Sequence, residues 1–262
     1  MTGKSSAFNA IQLEVLWTRL ISIVDEAAKA IVRTAFSTLS NEANDFACVL
    51  TDARGRSLAQ NSGSIPSFIA TLPATVKHFL NHFGAETMQP GDIFVTNDPW
   101  KGTGHLPDVC IVQPIFRGDL LVGFAATTSH VPDIGGRIRS MEAREIYEEG
   151  LQIPLTKLSD AGEDNDLLIQ IIRTNVRTPD QTMGDIWAQA GAGGLMAVRL
   201  LNMMEDYSLD DLEDLADELF LRCEDAMCDA IANVPDGTYR YTMETDGMDI
   251  PFQFEVALTV DG

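Results

Sequence analysis

The sequence is poor in basic residues, with 18 lysines and arginines against 39 acidic residues and a formal net charge of −21 at pH 7. This charge repels phosphate backbones and anionic lipid headgroups, so nucleic acid and membrane surfaces are not expected as partners. The sequence also lacks a run of eighteen apolar residues and an apolar signal-peptide core near its N-terminus. These absences predict a cytoplasmic protein without a membrane-spanning segment.

Cysteines are few, and two common catalytic signatures are missing. The four cysteines form no C-x-x-C pair and are expected to be reduced, buried side chains: Cys48, Cys110, Cys223 and Cys228. No serine lies in a G-x-S-x-G pattern, which argues against a hydrolase of the nucleophile-elbow type. The glycine-rich stretch at residues 190–194 follows no predicted strand and precedes no lysine, so it predicts close helix packing or a kink instead of a phosphate loop.

The most informative segment covers residues 96–136 and carries two of the four histidines. Within it, apolar-rich runs at 109–117 and 120–128 flank Gly118 and Asp119, which form a two-residue turn signal. This arrangement predicts a β-hairpin whose register is set by the turn.

The predicted turn determines which residues oppose one another. If the turn consists of those two residues, opposed residue numbers sum to 237. Asp108 then faces Ser129, and Pro107 faces His130 on the neighbouring rung. His105 lies three residues before Asp108 in a loop rich in glycine and proline, which can fold back towards the same point.

Two imidazoles and a carboxylate without a thiolate suit Zn, Mn or Fe(II), with a coordination position left for water or substrate. The alternative is that His105 caps a loop, His130 ends a strand and the aspartates cap turns. The residues alone leave both interpretations open. His78 and His82 share one face of a predicted helix, but no glutamate follows the first, so we interpret them as partly exposed helix histidines.

Hydrophobic periodicity predicts an α+β fold for the whole chain. Its parts are a long N-terminal helix over residues 11–38, a mixed or antiparallel β region with the hairpin, a helical layer, and the start of a further β region that looks truncated. The predicted division is 1–160, 161–235 and 236–262. Further helices are predicted at 72–83, 165–173, 180–206 and 209–234, and strands at 46–51, 56–59, 93–96, 238–244 and 252–260.

Several long motifs resemble the hydantoinase B and 5-oxoprolinase B-subunit family, which includes the metal-bearing subunits of acetone and acetophenone carboxylases. They include NEANDFACVLTDARGRSLAQ, PGDIFVTNDPWKGTGHLPD, SHVPDIGG, EEGLQIP, NVRTPDQTMGD and PDGTYRY. The resemblance covers nearly the whole chain. It also implies that family members continue beyond the point where this sequence ends.

The resemblance implies a divalent cation, Zn or Mn and also Fe, bound by four side chains that match the family's motifs: Asp45, His105, Asp108 and His130. Glu42 lies beside Asp45 in the same element and is the alternative ligand or a general base. Asp133 is the other candidate for the catalytic base. Asn97 and Asp98 are expected to lie around the ion, where hydrogen bonds from such residues can orient the ligand side chains. The sequence departs from many relatives at Val131, where a second histidine is common, and at Ala43 and Asn44, where basic residues occur; these departures bear on the substrate.

The resemblance leaves three functions open. In the first, the chain is a B-type subunit of an ATP-dependent hydrolase of small cyclic amides such as hydantoin or 5-oxoproline. A hydantoinase A-type subunit would bind ATP and phosphorylate the lactam in a hetero-oligomer, and metal-activated water would attack it. In the second, the same cation serves an ATP-dependent ketone carboxylase. In the third, the metal is structural and the chain is a non-catalytic assembly subunit, which a closed coordination shell would indicate.

Overall fold

The structure is a computed structural model that describes residues 8–137, 143–247 and 250–261. The chain divides into two compact units, Met1–Ala216 and Asp217–Gly262. The helices in chain order are α1 Ala10–Thr34, α2 Thr38–Asn41, α3 Pro66–Phe83, α4 Ile146–Glu149, α5 Asp166–Asn175, α6 Pro179–Asp206 and α7 Glu213–Ala232. The strands are β1 Phe46–Asp52, β2 Ser57–Gln60, β3 Ile93–Thr96, β4 Asp108–Arg117, β5 Leu120–His130, β6 Thr156–Asp160, β7 Glu163–Asp164, β8 Gly237–Thr245 and β9 Phe252–Val260. This architecture confirms the predicted α+β class.

Seven strands of the first unit form one antiparallel sheet in the order β2-β1-β5-β4-β3-β6-β7. Helix α3 packs on one face, where its Val76 and Phe79 belong to one core cluster with alternate residues of the central strands, including Val112 and Phe124. Helices α1 and α6 pack against each other, and each also contacts the sheet. On the α6 face, Ile186 belongs to a core cluster with the other set of alternate strand residues. The central strands are therefore buried on both faces, which explains their nearly continuous apolar runs.

The predicted helix over residues 11–38 is wrong at its C-terminal end. Helix α1 stops at Thr34, and α2 begins separately at Thr38. Asp185, which lies on α6, accepts hydrogen bonds from the backbone amides of Phe36 and Ser37. Because these two amides are bonded to a side chain, they cannot continue the helical ladder, and the chain turns there.

The glycine-rich part of α6 remains a continuous helix and packs closely, as predicted. A Cβ atom at Gly193 would lie 2.3 Å from Nε2 of Gln113, whose amide donates to the carbonyl of Ala190 at 2.7 Å. A Cβ atom at Gly194 would meet nothing within 4 Å. Of these two glycines, only Gly193 is therefore required by the packing.

This difference predicts opposite results for two neighbouring substitutions. Gly194→Ala should stabilise the protein by about 0.5–1 kcal/mol, because alanine has the higher helix propensity and the added methyl group meets no obstacle. Gly193→Ala should give no gain, since displacing the Gln113 amide offsets the propensity term. Urea denaturation of both variants measures the difference, and equal stabilisation by the two would contradict the packing assigned to Gly193.

The second unit contains most of α7 and the β8-β9 hairpin. Cross-strand pairs in this hairpin place one set of alternate side chains on a common face. Seven apolar members of that set are exposed: Tyr239, Tyr241, Met243, Phe252, Phe254, Val256 and Leu258. The division at residues 160 and 235 stays a prediction, and α5 and α6 belong to the same compact unit as the seven-stranded sheet.

Two general expectations concern the cysteines and the membrane. Cys48 and Cys110 are buried as expected, but Cys223 and Cys228 are exposed on α7, so the prediction for this second pair is wrong.

Within the described part of the chain, no helix combines the length and apolar character needed to cross a bilayer.

Candidate metal centre

The central hairpin contains a β-bulge that the predicted register did not include. Near the turn, Phe116 pairs with Leu121, as expected for opposed numbers that sum to 237. One step further, Ile115 pairs with Gly123, so Val122 has no partner in β4 and the sum becomes 238. A bulge of this kind adds one residue to one strand and changes the pairing of everything beyond it.

Beyond the bulge, Asp108 lies directly opposite His130, and Val109 lies opposite Ser129. The predicted pairing of Asp108 with Ser129 is therefore wrong. The difference matters because opposed side chains point to the same face of a sheet, whereas consecutive side chains point to opposite faces. Under the predicted register, Asp108 and His130 would have faced opposite sides of the sheet.

Strand β1 brings a third candidate ligand to the same rung. Phe46 pairs with Ser129, and the amide of His130 donates to the carbonyl of Asp45 at 3.0 Å. Asp45, which directly precedes β1, thus lies beside His130 of β5, which is opposite Asp108 of β4; we call these three residues the ligand row. Asp45 Oδ2 lies 3.9 Å from His130 Nδ1.

His105 reaches Asp108 from the loop that precedes β4. Its Nε2 lies 3.1 Å from Asp108 Oδ1, and His130 Nδ1 lies 3.0 Å from the same oxygen. Thr103 Oγ1 donates to the other carboxylate oxygen at 2.8 Å. His105, Asp108 and His130 each offer a ligand atom, and these atoms all lie within 4.8 Å of one another.

The charges of this cluster suit a cation. Burial alone would raise the pKa of Asp108, but hydrogen bonds from His105 and His130 overcome it and lower that pKa to about 2. The hydrogen bond to Asp108 raises the pKa of His105. Burial raises the pKa of Asp45, and the charge of Asp108 adds to the effect. An ionised, almost fully buried carboxylate therefore lies between two partly exposed imidazoles.

Asn97 supports the His105 loop without touching either imidazole. Its side-chain amide donates to the carbonyls of Leu106 at 2.7 Å and Leu151 at 2.9 Å, and its oxygen accepts from the amide of Ile153 at 2.6 Å. The sequence did not single out Glu149, whose carboxylate accepts from the amide of Leu106 at 2.9 Å. The bonds from Asn97 and Glu149 both hold Leu106, the residue that follows His105, so they fix the position of the loop. In the sequence, the only feature that could have indicated this role of Glu149 is its position in the EEGLQIP motif.

Two predicted residues lie outside the cluster. Glu42 is exposed at the C-terminal end of α2, and its side chain forms no hydrogen bond or ion pair with the ligand row in the described structure. Asp98 stabilises the turn that follows β3, where its carboxylate accepts from the amide of Trp100 at 3.0 Å and lies 3.7 Å from Lys101 Nζ. Its bonds are those of a turn residue.

Asp133 is buried and already paired. Its Oδ1 lies 3.0 Å from Arg177 Nη1 and accepts from the amide of Gly135 at 2.9 Å. The backbone amide of Arg177 donates to Oδ2, and Thr182 donates to the Asp133 carbonyl at 3.0 Å. These bonds connect the segment after β5 to α6. Its role as a general base stays a prediction.

The donor set fits a divalent cation of the zinc, manganese or iron type. Imidazole nitrogens and carboxylate oxygens without thiolate are the ligands that these ions share, and the three nearest ligand atoms already converge. His78 and His82 on α3 do not belong to this group among the described residues. The structure thus places a histidine and aspartate cluster that could hold a metal ion at the end of an antiparallel sheet.

Comparison with known proteins gives the family. Residues 9–262 match the family described as hydantoinase B/oxoprolinase, so the chain belongs to it. The chain is 33% identical over 243 residues to the putative D-/L-hydantoinase B subunit of Pseudomonas sp. (strain NS671), covering 90% of this chain and 41% of that protein. It is 30% identical over 235 residues to the caprolactamase beta subunit of Pseudomonas jessenii, covering 88% and 40% respectively. The chain spans less than half the length of these two relatives.

Two solved structures share the fold. The crystal structure of ATP-dependent caprolactamase from Pseudomonas jessenii superposes with a TM-score of 0.86 at 28% identity, over 97% of this chain and 45% of that one. A nucleotide-free acetone carboxylase structure superposes with a TM-score of 0.76 over 88% of this chain and 31% of that one. At 23% identity the second likeness concerns the fold alone.

Proposed function

We propose that this chain is the metal-binding part of a B-type subunit in an ATP-dependent hydrolase of small cyclic amides. The observation that carries this proposal is the convergence of His105, Asp108 and His130 on one point in a member of the hydantoinase B/oxoprolinase family. The names of two relatives, a hydantoinase B subunit and a caprolactamase beta subunit, support the substrate class and the existence of a partner.

In this proposal Asp45, His105, Asp108 and His130 hold the cation. A divalent cation held there supplies Lewis-acid polarisation and the activation of water near neutral pH. Asp108 positions both imidazoles through one carboxylate oxygen, and Thr103 fixes the other oxygen. Asp45 closes the row from the β1 side. Glu42 and Asp133 remain the proposed proton acceptors.

In this proposal ATP binds to a partner subunit and not to this chain. The sequence of this chain contains no phosphate-loop pattern, whereas opening an unstrained lactam near neutral pH requires an activated carbonyl or leaving group. We therefore propose an A-type subunit that binds ATP and phosphorylates the lactam oxygen, with the two subunits forming a hetero-oligomer in the cytoplasm.

The test is to copurify the chain with its A-type partner, quantify bound metal, and follow ATP-dependent opening of hydantoin, 5-oxoproline and caprolactam. We expect ring opening by the wild type and loss of both metal and activity in His105→Ala. His82→Ala is the matched control, because His82 is an exposed histidine on α3 outside the cluster, and this variant should retain both properties.

Three outcomes would contradict parts of the proposal. Activity that persists in His105→Ala after the metal is lost would remove the catalytic role of the cation. Bicarbonate-dependent carboxylation of acetone without ring opening would mean that the substrate is a ketone and not a cyclic amide. Unchanged activity in both Asp133→Asn and Glu42→Gln would remove the proposed proton acceptors.

A further inference from the structure

A groove on the α1 side of the sheet has the features of a ligand-binding site. This groove has no part in the proposed metal chemistry. It has a volume of about 420 Å³ and lies between the second half of α1, the start of β1 and the turn at residues 61–63. Lys29 and Arg33 line it from α1, where a spacing of four residues places them on the same side of the helix. Val32 and the almost completely buried Phe46 contribute apolar surface.

The two basic side chains are unusual in this molecule. Most basic side chains in the described structure form ion pairs with carboxylates, for example Arg199 with Glu26. Lys29 and Arg33 are exposed and make no ion pair in the part of the chain that the structure describes. A protein with a net charge of −21 therefore presents two adjacent positive charges that are not in direct contact with a carboxylate of the described residues.

The acidic side chain that lines the groove is already bonded. Asp25 accepts hydrogen bonds from the amide of Ser62 at 2.7 Å and from its hydroxyl at 3.2 Å. These bonds fix the 61–63 turn against α1 and form one wall. Asp25 therefore stabilises the shape of the groove without forming an ion pair with Lys29.

The groove and the ligand row lie on opposite faces of β1. Asn44 and Phe46 line the groove, and Asp45 lies between them in the chain. Phe46 lines the groove beside α1, whereas the Asp45 carboxylate lies 3.9 Å from His130 Nδ1, on the face of the sheet that carries the ligand row. The groove is therefore a separate site.

We propose that this groove binds a small organic carboxylate with an apolar body. The carboxylate would pair with Lys29 and Arg33, and the apolar part would lie on Val32 and Phe46. The volume is within the usual range for small-ligand sites, about 300–1,000 Å³. A polyanion such as nucleic acid would be repelled by the rest of the surface, whereas a single carboxylate matches two cations. This inference does not rest on the proposed function.

Titration calorimetry with hexanoate on the full chain tests the proposal, with hexanamide as the uncharged probe of the same shape. We expect saturable hexanoate binding with a Kd of about 10 mM or tighter, and at least about tenfold weaker binding of hexanamide. The double variant Lys29→Gln, Arg33→Gln should bind hexanoate at least about tenfold more weakly, because charge-assisted hydrogen bonds are the stronger ones.

Lys77→Gln is the matched control. Lys77 is an exposed lysine on α3 without an ion pair in the described structure, and it does not line the groove. This variant removes the same kind of charge and should bind hexanoate as the wild type does. The absence of saturable binding by the wild type, or equal hexanoate affinity in the double variant and the wild type, would overturn the proposal. Far-UV circular dichroism of each variant confirms that it is folded.

Discussion

Asp108→Asn is expected to lower the affinity of the chain for Zn²⁺ or Mn²⁺ by about 100-fold or more, because even residues that only support metal ligands are worth about 10–100-fold. The substitution keeps the size of the side chain and removes its charge. One oxygen of Asp108 contacts both His105 and His130, so the carboxylate holds the two imidazoles together in addition to its proposed role as a ligand. Competition with a chromogenic chelator measures the affinity, and elemental analysis measures the bound metal.

Asp98→Asn is the control for this prediction. It removes one charge from the same loop, but the Asp98 side chain bonds within its own turn and not to an imidazole. Its metal affinity should stay within a factor of about three of the wild type, less than the effect of a supporting residue. Equal losses in the two variants would mean that the general negative charge of the loop, and not the position of Asp108, attracts the cation.

Asn97→Ala is expected to destabilise the protein by about 3 kcal/mol and to weaken metal binding by about tenfold. The side chain satisfies three backbone groups, those of Leu106, Leu151 and Ile153. Each buried group left without a partner costs about 1–3 kcal/mol, and water can compensate for part of the loss. The weaker metal binding would follow because the Leu106 carbonyl belongs to the residue after His105. Thermal unfolding should show a fall in Tm of about 6–12 °C.

Asn165→Ala separates the two effects. Asn165 also bonds the backbone, accepting from the amide of Leu168 at 3.1 Å and donating to the carbonyl of Lys157 at 3.1 Å. It caps α5, so its loss should cost about 1 kcal/mol and leave metal affinity unchanged. If Asn97→Ala also left metal affinity unchanged, Asn97 would support the fold and not the centre.

The sequence predicted most of the helices and strands, because hydrophobic periodicity and turn residues are local signals. Strand β3 occupies the predicted residues, and the turn at Gly118 and Asp119 joins the expected strands. The break between α1 and α2 was not predictable, because Asp185 causes it and lies 149 residues beyond Phe36 in the chain. Side-chain bonds to backbone over such distances leave no periodic signal.

The candidate site shows the same limit. His105, Asp108 and His130 could be chosen from chemistry and spacing, and the structure brings them together. Asp45 came from the family resemblance, and β-sheet pairing with His130 places it beside the group. The register that aligns the row was not predicted, because the opposed residues were counted from the turn without a bulge. Gly123, an isolated glycine next to Val122 inside an apolar strand, is the local signal that could have indicated one.

Because of the bulge at Val122, the alignment of Asp108 with His130 depends on the difference in length between strands β4 and β5. Strand β4 has ten residues and β5 has eleven, and this odd difference directs Asp108 and His130 to the same side. Inserting one residue in each arm would lengthen the hairpin and leave the two ligands opposed. An insertion in β5 alone would require a second bulge, or it would turn the imidazole towards the other face of the sheet. One residue inserted in β4 opposite Val122 would instead give Val122 a partner and keep Asp108 opposite His130. The hairpin should therefore accept paired insertions and this single insertion in β4, whereas single insertions in β5 should be costly to the candidate centre.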